Sequence, residues 1–173
     1  MNARDTLLAH VRDVPDFPSP GVMFKDLTPL FAQAEAFDEV TRDIADRHRG
    51  QVDVVAGIEA RGFIVAVPIA LALGVGFIPV RKAGKLPGET ISRSYALEYG
   101  EATIEVASDA FTAGQRVLLV DDVLATGGTA VAACELVEQT GAVVTGVEML
   151  LELSFLKGRD RLADRPVRSM AVI

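Results

Sequence analysis

Val117-Leu118-Leu119-Val120-Asp121-Asp122-Val123-Leu124-Ala125-Thr126-Gly127-Gly128-Thr129 decides how the rest of this chain is read. Its first four residues are an uninterrupted apolar run, the pattern of a strand buried on both faces. The run ends on two adjacent carboxylates, and Thr-Gly-Gly-Thr then opens a helix expected over 128–139. Gly127 and Gly128 let the backbone approach an anion closely. The helix start adds unpaired N–H groups and the positive end of the helix dipole, and Thr126 and Thr129 add hydroxyl donors. Asp121 and Asp122 repel such an anion. They suit sugar hydroxyls, which donate hydrogen bonds, or a hydrated Mg²⁺. Hydroxyl acceptors beside a phosphate cradle describe a site for ribose 5-phosphate. Thr-Gly-Gly-Thr by itself is also what a capped helix with a solvated acid pair looks like; the whole segment argues against that. A Walker A loop is excluded, since no Gly-Lys-[Ser/Thr] follows the glycines, and Gly74-Val-Gly76 lacks the third glycine of a dinucleotide fingerprint.

Strand and helix alternate outward from this segment. Residues 3–13 read as a short amphipathic helix ended by Pro15, and 16–25, with Pro18, Pro20 and Gly21, as an irregular arm. Phe37, Val40, Ile44 and Ala45 share one face of a helix over 37–49. Then come a strand at 52–58, a helix at 63–73 and a strand at 76–81. After a loop at 82–91, residues 92–97 and 101–107 pair as an antiparallel hairpin around Glu98-Tyr99-Gly100. A strand at 143–151, a short helix near 155–162 and a strand at 167–172 complete the order. The expected fold is α/β, with a mostly parallel central sheet flanked by helices. One domain spans 1–173, with an N-terminal arm (1–35) and a hairpin segment (82–107). Ligands of open α/β sheets bind beyond the carboxyl ends of the strands, so three strand ends carrying unusual chemistry converge on one rim.

The chain has 173 residues, half of them hydrophobic, enough for one domain with a real core. A net charge of −7 argues against nucleic acid as a partner. Cys134 is the one cysteine and reads as a core residue of the 128–139 helix, so no intramolecular disulfide is expected. His10 and His48 read as surface helix residues without a role. A histidine-based metal site or a Cys–His protease is therefore poorly supplied. The stretch 62–80 holds no charge over 19 residues, close to the length of a bilayer span. Pro68, Gly74, Gly76 and Pro79 interrupt it, and a buried helix, a turn and a strand explain it better. Without an apolar leader at the N-terminus and with an unpaired cysteine, a cytoplasmic protein is expected.

Two further blocks suit anions. Gly57-Ile-Glu-Ala-Arg-Gly62 ends the 52–58 strand, and a turn presenting backbone N–H groups and Arg61 suits a second, more highly charged group; the plainer alternative is an Arg61–Glu59 pair. Arg81, Lys82, Lys85 and Arg93 face one acid, Glu89, within 13 residues, where an even spread of the basic residues gives about one. Gly84, Pro87 and Gly88 make this a mobile loop by expectation. Such clusters are commonly solvated, but two anion sites on the same rim favour binding.

In its Asp-Asp-x-Leu-Ala-Thr-Gly-Gly-Thr form the 121–129 segment resembles the phosphoribosyl-diphosphate signature of the type I phosphoribosyltransferases, and within them the adenine-using members. Five other blocks extend the resemblance in order: Phe17-Pro-Ser-Pro-Gly-Val-Met-Phe-Lys-Asp26, Gly57-Ile-Glu-Ala-Arg-Gly-Phe63, Arg81-Lys-Ala-Gly-Lys-Leu-Pro-Gly88, Tyr95-Ala-Leu-Glu-Tyr-Gly100 and Glu152-Leu-Ser-Phe-Leu-Lys-Gly-Arg159. Val123, where leucine is frequent, is a conservative departure. The resemblance implies the type I phosphoribosyltransferase fold and assigns Asp121, Asp122, Ala125, Thr126, Gly127, Gly128 and Thr129 to ribose 5-phosphate. It makes Glu59, Ala60 and Arg61 the diphosphate loop, with a cis peptide between Glu59 and Ala60. Arg81, Lys82 and Lys85 reach the same diphosphate, and the hairpin closes over the site as a flexible lid with Tyr99.

Glu98 becomes the catalytic carboxylate, with Arg61 as its cationic counterpart. In 6-oxopurine members an aspartate commonly precedes the Thr-Gly of the signature; here that position is Ala125, which moves the acid–base task to Glu98 and disfavours hypoxanthine and guanine. Phe24 and Leu153 are expected to sandwich adenine, and the backbone from Val22 to Lys25 to read its amino edge. The implied reaction moves the 5-phosphoribosyl group of 5-phosphoribosyl-1-diphosphate to adenine, giving AMP and diphosphate, a purine salvage step. Mg²⁺ is expected through substrate and water near Asp121 and Asp122, with no direct protein ligand, in a homodimer that binds neither nucleic acid nor membrane. Two alternatives stand beside this: a transferase for xanthine, hypoxanthine or guanine, and a non-catalytic regulator sensing the activated sugar. A regulator would bring a DNA-binding segment, for which this domain leaves no room.

Overall fold

Val54, Val55, Ala56 and Ile58 are all buried, as are Val117 to Val120, because helices cover both faces of the sheet these runs build. The computed structural model describes residues 2–97, 99–162 and 164–173. In chain order the elements are α1 (Ala3–Ala9), β1 (Arg12–Val14), β2 (Phe24–Asp26), α2 (Thr28–Phe31), α3 (Ala34–His48), β3 (Val54–Ile58) and α4 (Arg61–Leu73). There follow β4 (Gly76–Lys82), β5 (Thr90–Ala96), β6 (Glu101–Ala107), β7 (Arg116–Leu124), α5 (Gly128–Gln139), β8 (Val143–Glu152) and β9 (Val167–Val172). The main sheet has seven strands in the order β5-β6-β4-β3-β7-β8-β9. β4, β3, β7, β8 and β9 run parallel, and the β5–β6 hairpin joins antiparallel at β4 through Arg81↔Glu105 and Lys82↔Ile104. Val54, Ala56, Val117 and Leu119 face α5, whereas Val55, Leu118 and Val120 face the layer of α1, α3 and α4. The fold class expected from the alternation of elements is the one observed.

Several local expectations change. The first helix stops at Ala9, and Arg12–Val14 instead pairs antiparallel with Phe24–Asp26. The arm is thus a closed two-stranded ribbon, fastened by Arg12–Asp26 and Lys25–Asp13 ion pairs. The short α2 had no signal beyond Pro29 at its first turn. The helix at 37–49 begins three residues earlier, and the strand at 52–58 begins at Val54. β7 runs on to Leu124 because β8 accompanies it as far as Leu124↔Glu152, so the acid pair lies inside the strand rather than after it. The helix near 155–162 is two 3-10 turns, Ser154–Leu156 and Gly158–Leu162, parted by Lys157 at φ +54°. The uncharged stretch 62–80 divides between α4 and β4 at Gly74, whose φ is +70°. Among the described residues no helix is long and apolar enough to cross a membrane.

Cys134 is fully buried, and burial pushes its thiol up to about 12. His48, expected on the surface, packs its Nε2 2.7 Å from Oε1 of the buried Glu148, which Arg47 also holds. His10 Nδ1 lies 2.7 Å from the Thr6 carbonyl.

The far end of the sheet carries a pH-dependent tie. Asp53 accepts the Arg116 backbone N–H at 2.8 Å and pairs with its Nη2 at 2.7 Å. These hydrogen bonds hold the Asp53 carboxyl down at about 2, against 3.8 ordinarily. The folded state therefore favours the ionised form. The resulting stability is present above pH 3.8 and lost as pH falls towards 2. Urea midpoints should show wild type above Asp53→Asn near neutrality, the gap closing through that window; a gap independent of pH would contradict the pairing.

Candidate active site

Three cavities meet at the carboxyl ends of β3, β4 and β7. The first, about 70 Å³, is lined by the loop from Ala125 to Thr129 at the start of α5. Gly127 caps that helix in the left-handed region, at φ +84°, with no side-chain cap bond and no acid in the first turn. The first N–H groups of α5 are thereby left for a ligand. Thr129 Oγ1 donates to the Tyr95 hydroxyl at 2.9 Å, tying β5 to the loop. Behind the loop lies the 3-10 segment: a Cβ on Gly127 would stand 2.5 Å from the Gly158 carbonyl oxygen, and one on Gly158 would run into the Ala125 oxygen. Arg159 fixes this segment by donating to Glu152 at 3.0 Å and to the Val167 carbonyl at 2.7 Å. Arg161 Nη1 would lie 3.2 Å from a Cβ on Gly128, bringing a cation beside the helix start. Tyr95, Gly158 and Arg161 were not singled out in the sequence. Their only signal was membership of, or closeness to, two of the matching blocks, because what they do depends on packing.

The second cavity, about 280 Å³, joins the acid pair to the cationic turn. Asp122 is 4% exposed, and Arg61 Nε stands 2.8 Å from its Oδ2. That contact is an ion pair without hydrogen-bond alignment, so the buried oxygen keeps its capacity to accept. Asp121 accepts the Asp122 N–H at 2.8 Å. Burial, and then the Asp122 charge, push the Asp121 carboxyl well above its usual range. The first turn of α4 lies directly on this pair: a Cβ on Gly62 would come within 2.8 Å of Asp121 Oδ1. The Glu59–Ala60 peptide is cis, as the resemblance implied. Glu59 pairs with Arg81 at 3.5 Å and accepts the Lys82 N–H at 3.3 Å, so the Arg61–Glu59 pair weighed from the sequence does not form. Lys82 lines the cavity. Lys85 is exposed, and its carbonyl accepts from Arg81 Nη1 at 3.0 Å. Arg93 leaves the cluster altogether, pairing with Glu135 on α5 at 2.6 Å.

The third cavity is a largely apolar recess of about 330 Å³ formed by Val14, Phe17, Phe24, Asp26, Thr28 and Arg61. Phe17 meets Phe24 edge-on at 5.0 Å, and the Arg61 guanidinium lies 5.1 Å from the Phe24 ring centre, a cation–π distance. Leu153 is half-buried at the end of β8, donating its N–H to the Leu124 carbonyl at 2.9 Å. It is not among the residues that line this recess, whose wall beside Phe24 includes Arg61. Val22 donates to the Ser19 carbonyl and accepts from the Phe17 N–H, and Lys25 pairs with Asp13 at 2.7 Å. Both are occupied in shaping the arm. Tyr99 is 87% exposed. Glu98 lies outside the described residues. Among the described residues no group of three His, Cys, Asp or Glu side chains is arranged to hold a metal ion.

An uncapped helix start, an acid pair and cationic side chains thus share one rim. Residues 27–165 match the family described as the phosphoribosyl transferase domain, and the chain belongs to the phosphoribosyltransferases. The adenine phosphoribosyltransferase of Salinispora tropica is 62% identical over 98% of this chain and 90% of its own length. The crystal structure of the Thermoanaerobacter pseudethanolicus adenine phosphoribosyltransferase superposes with a TM-score of 0.95 at 45% identity, covering 98% of this chain and 99% of that one. The Saccharomyces cerevisiae enzyme, solved with an imino-altritol bisphosphate and adenine, gives 0.94 at 41%, covering 98% of each chain. Within its class the chain belongs to the adenine phosphoribosyltransferase family.

Proposed function

We infer that this protein transfers the 5-phosphoribosyl group of 5-phosphoribosyl-1-diphosphate to adenine, giving AMP and diphosphate. One observation carries this reading: the Thr126–Thr129 loop on one side, and Arg61 and Lys82 on the other, flank a single acid pair, Asp121 and Asp122. That spacing of charge fits one molecule with an anion at each end and hydroxyls between. The 5-phosphate takes the first N–H groups of α5. Asp121 and Asp122 accept from the ribose hydroxyls, for which the unaligned Asp122 Oδ2 has free capacity. Arg61 and Lys82 face the departing diphosphate. No side chain needs to attack: the C1–O bond loosens towards an oxocarbenium-like state, so catalysis rests on positioning and charge stabilisation.

The donor set fits Mg²⁺ carried by the diphosphate and approached by the acid pair through water, since two carboxylates with no third ligand among the described residues do not make a protein cage. When bound, the ion neutralises charge on the leaving diphosphate. Glu98 is the proposed proton-handling carboxylate for the purine nitrogen, and Tyr99 and the β5–β6 hairpin the lid that excludes water. The Phe17–Phe24–Arg61 recess is the proposed seat of the flat base, with Leu153 and the backbone of Val22–Lys25 as its further proposed contacts. A homodimer is proposed: Ile64, Val67 and Leu71 are 44%, 38% and 76% exposed along one side of α4, an apolar stripe that a second copy would cover. Cytoplasmic residence accords with the unpaired Cys134.

The test offers each nucleobase separately to purified protein with Mg²⁺ and the activated sugar. AMP from adenine at a kcat/KM at least 100-fold above that for guanine, hypoxanthine or xanthine is the expected result; preferential turnover of a 6-oxopurine would overturn it. That margin is the scale on which a site that hydrogen-bonds an amino edge rejects an oxo edge, against which its polar groups are left unpaired.

A further inference from the structure

Glu105, on β6, is only 7% exposed, and the reaction above does not use it. Among the described residues no lysine, arginine or histidine lies within ion-pair distance of it. Its oxygens are instead taken up by neutral donors from the turn after β4. Oε1 accepts the backbone N–H groups of Gly84 at 3.0 Å and Leu86 at 3.4 Å, and Oε2 accepts the Thr90 hydroxyl at 3.3 Å. A buried carboxylate is costly unless such donors saturate it. Placed near a diphosphate site it is also repulsive, so its retention there calls for a compensating task.

The geometry supplies one. Glu105 stands opposite Arg81 in the β4–β6 register, and the two side chains grip the same turn from different atoms. Arg81 Nη1 donates to the Lys85 carbonyl while Glu105 accepts the amides on either side of Lys85. The Ala83 N–H to Thr103 carbonyl bond at 3.0 Å closes the base of the turn. The glycine- and proline-containing segment expected to be mobile is thus cinched at its amides and at its carbonyl. A turn ordered before the ligand arrives costs less to order on binding.

We propose that Glu105 is a positioning residue that holds the 83–90 turn, and Lys85 within it, in the form that meets the diphosphate beside Lys82 at the end of β4, and so sets affinity for the activated sugar rather than the rate of the chemical step. This rests on the function inferred above. A carboxylate suits the task because it accepts several hydrogen bonds at once and binds N–H donors more strongly than a neutral oxygen does.

Two measurements test it. Amide exchange by NMR should find Gly84 and Leu86 protected in wild type and at least tenfold faster in Glu105→Ala. Steady-state kinetics should find KM for 5-phosphoribosyl-1-diphosphate raised about tenfold in Glu105→Ala, with kcat and KM for adenine within about twofold of wild type. Glu105→Gln, whose amide oxygen still accepts both N–H groups, should recover most of the lost affinity. A merely structural role would lower Tm and the active fraction, and with it kcat, without moving KM. Should Glu105→Ala fail to fold, the near-isosteric Thr90→Val reads the same effect in smaller measure, about threefold in KM. An unchanged KM in folded variants, or amides still protected in Glu105→Ala, overturns the proposal. If wild type uses no base at all, the function falls, while the exchange measurement still decides whether Glu105 anchors the turn.

Discussion

Gly127→Ala is expected to lower kcat/KM for the activated sugar by about 10²–10³-fold, although the change is a single methyl group. Two penalties coincide at this position. At φ +84° a residue with a Cβ pays about 1 kcal/mol in the left-handed region. The added Cβ would also stand 2.5 Å from the Gly158 carbonyl oxygen, a backbone atom held through the neighbouring Arg159–Glu152 pair and unable to swing aside. The loop must therefore move, and its N–H groups lose the aim at the 5-phosphate that the proposed function gives them. Displacements near 1 Å at a reacting centre cost about 10²-fold. Gly114→Ala is the control. Gly114 has φ +78° and no atom within 4 Å of a built Cβ, so it should lose about 1 kcal/mol of stability and keep wild-type kinetics. Kinetics of Gly127→Ala matching those of Gly114→Ala would show that the Gly127–Gly158 contact does not shape the phosphate site.

Arg61→Ala should lower kcat by about 10²–10³-fold, the scale of losing a donor aimed at developing charge. The guanidinium connects the acid pair to the apolar recess: 2.8 Å from Asp122, 5.1 Å from the Phe24 ring centre, and on the wall of both larger cavities of the site. Its removal leaves two adjacent carboxylates, the buried Asp122 and the part-buried Asp121, without their nearby cation. Since the Arg61 charge lowers the Asp121 pKa, the variant holds its proton to higher pH. The acidic limb of its residual pH–rate profile should therefore move upward. Arg61→Lys should not restore the rate, because an ammonium lacks the planar fork that can touch Asp122, ring and diphosphate together. An acidic limb that stays in place would mean that the acid pair does not titrate with activity.

The elements most legible in the sequence were those whose signal is local. The apolar run at 117–120, the helix at 128–139 and the turn at Gly74 each follow from a few neighbouring residues, and the observed α5 has the expected bounds. The 3–13 helix failed because β2, a dozen residues away, captures Arg12–Val14, and such pairing leaves no mark in helical periodicity. The end of β7 lies beyond the expected one for a related reason. Carboxylates usually end strands, yet β8 continues alongside Asp121 and carries the ladder to Leu124. Arg93 looked like one of four clustered cations, but strand alternation turns it towards Glu135 on α5.

The sequence alone determined the alternating α/β plan, the phosphate loop and the presence of a cationic turn, since dihedral preference, glycine freedom and hydrophobic period act over a few residues. Tertiary structure decided which charges meet. Arg61 joins Asp122 rather than Glu59, Glu59 joins Arg81, and the recess beside Phe24 is shared with Arg61. Those choices depend on through-space distances between residues tens of positions apart, set by the register of parallel strands and by which helix turn lies on which strand end.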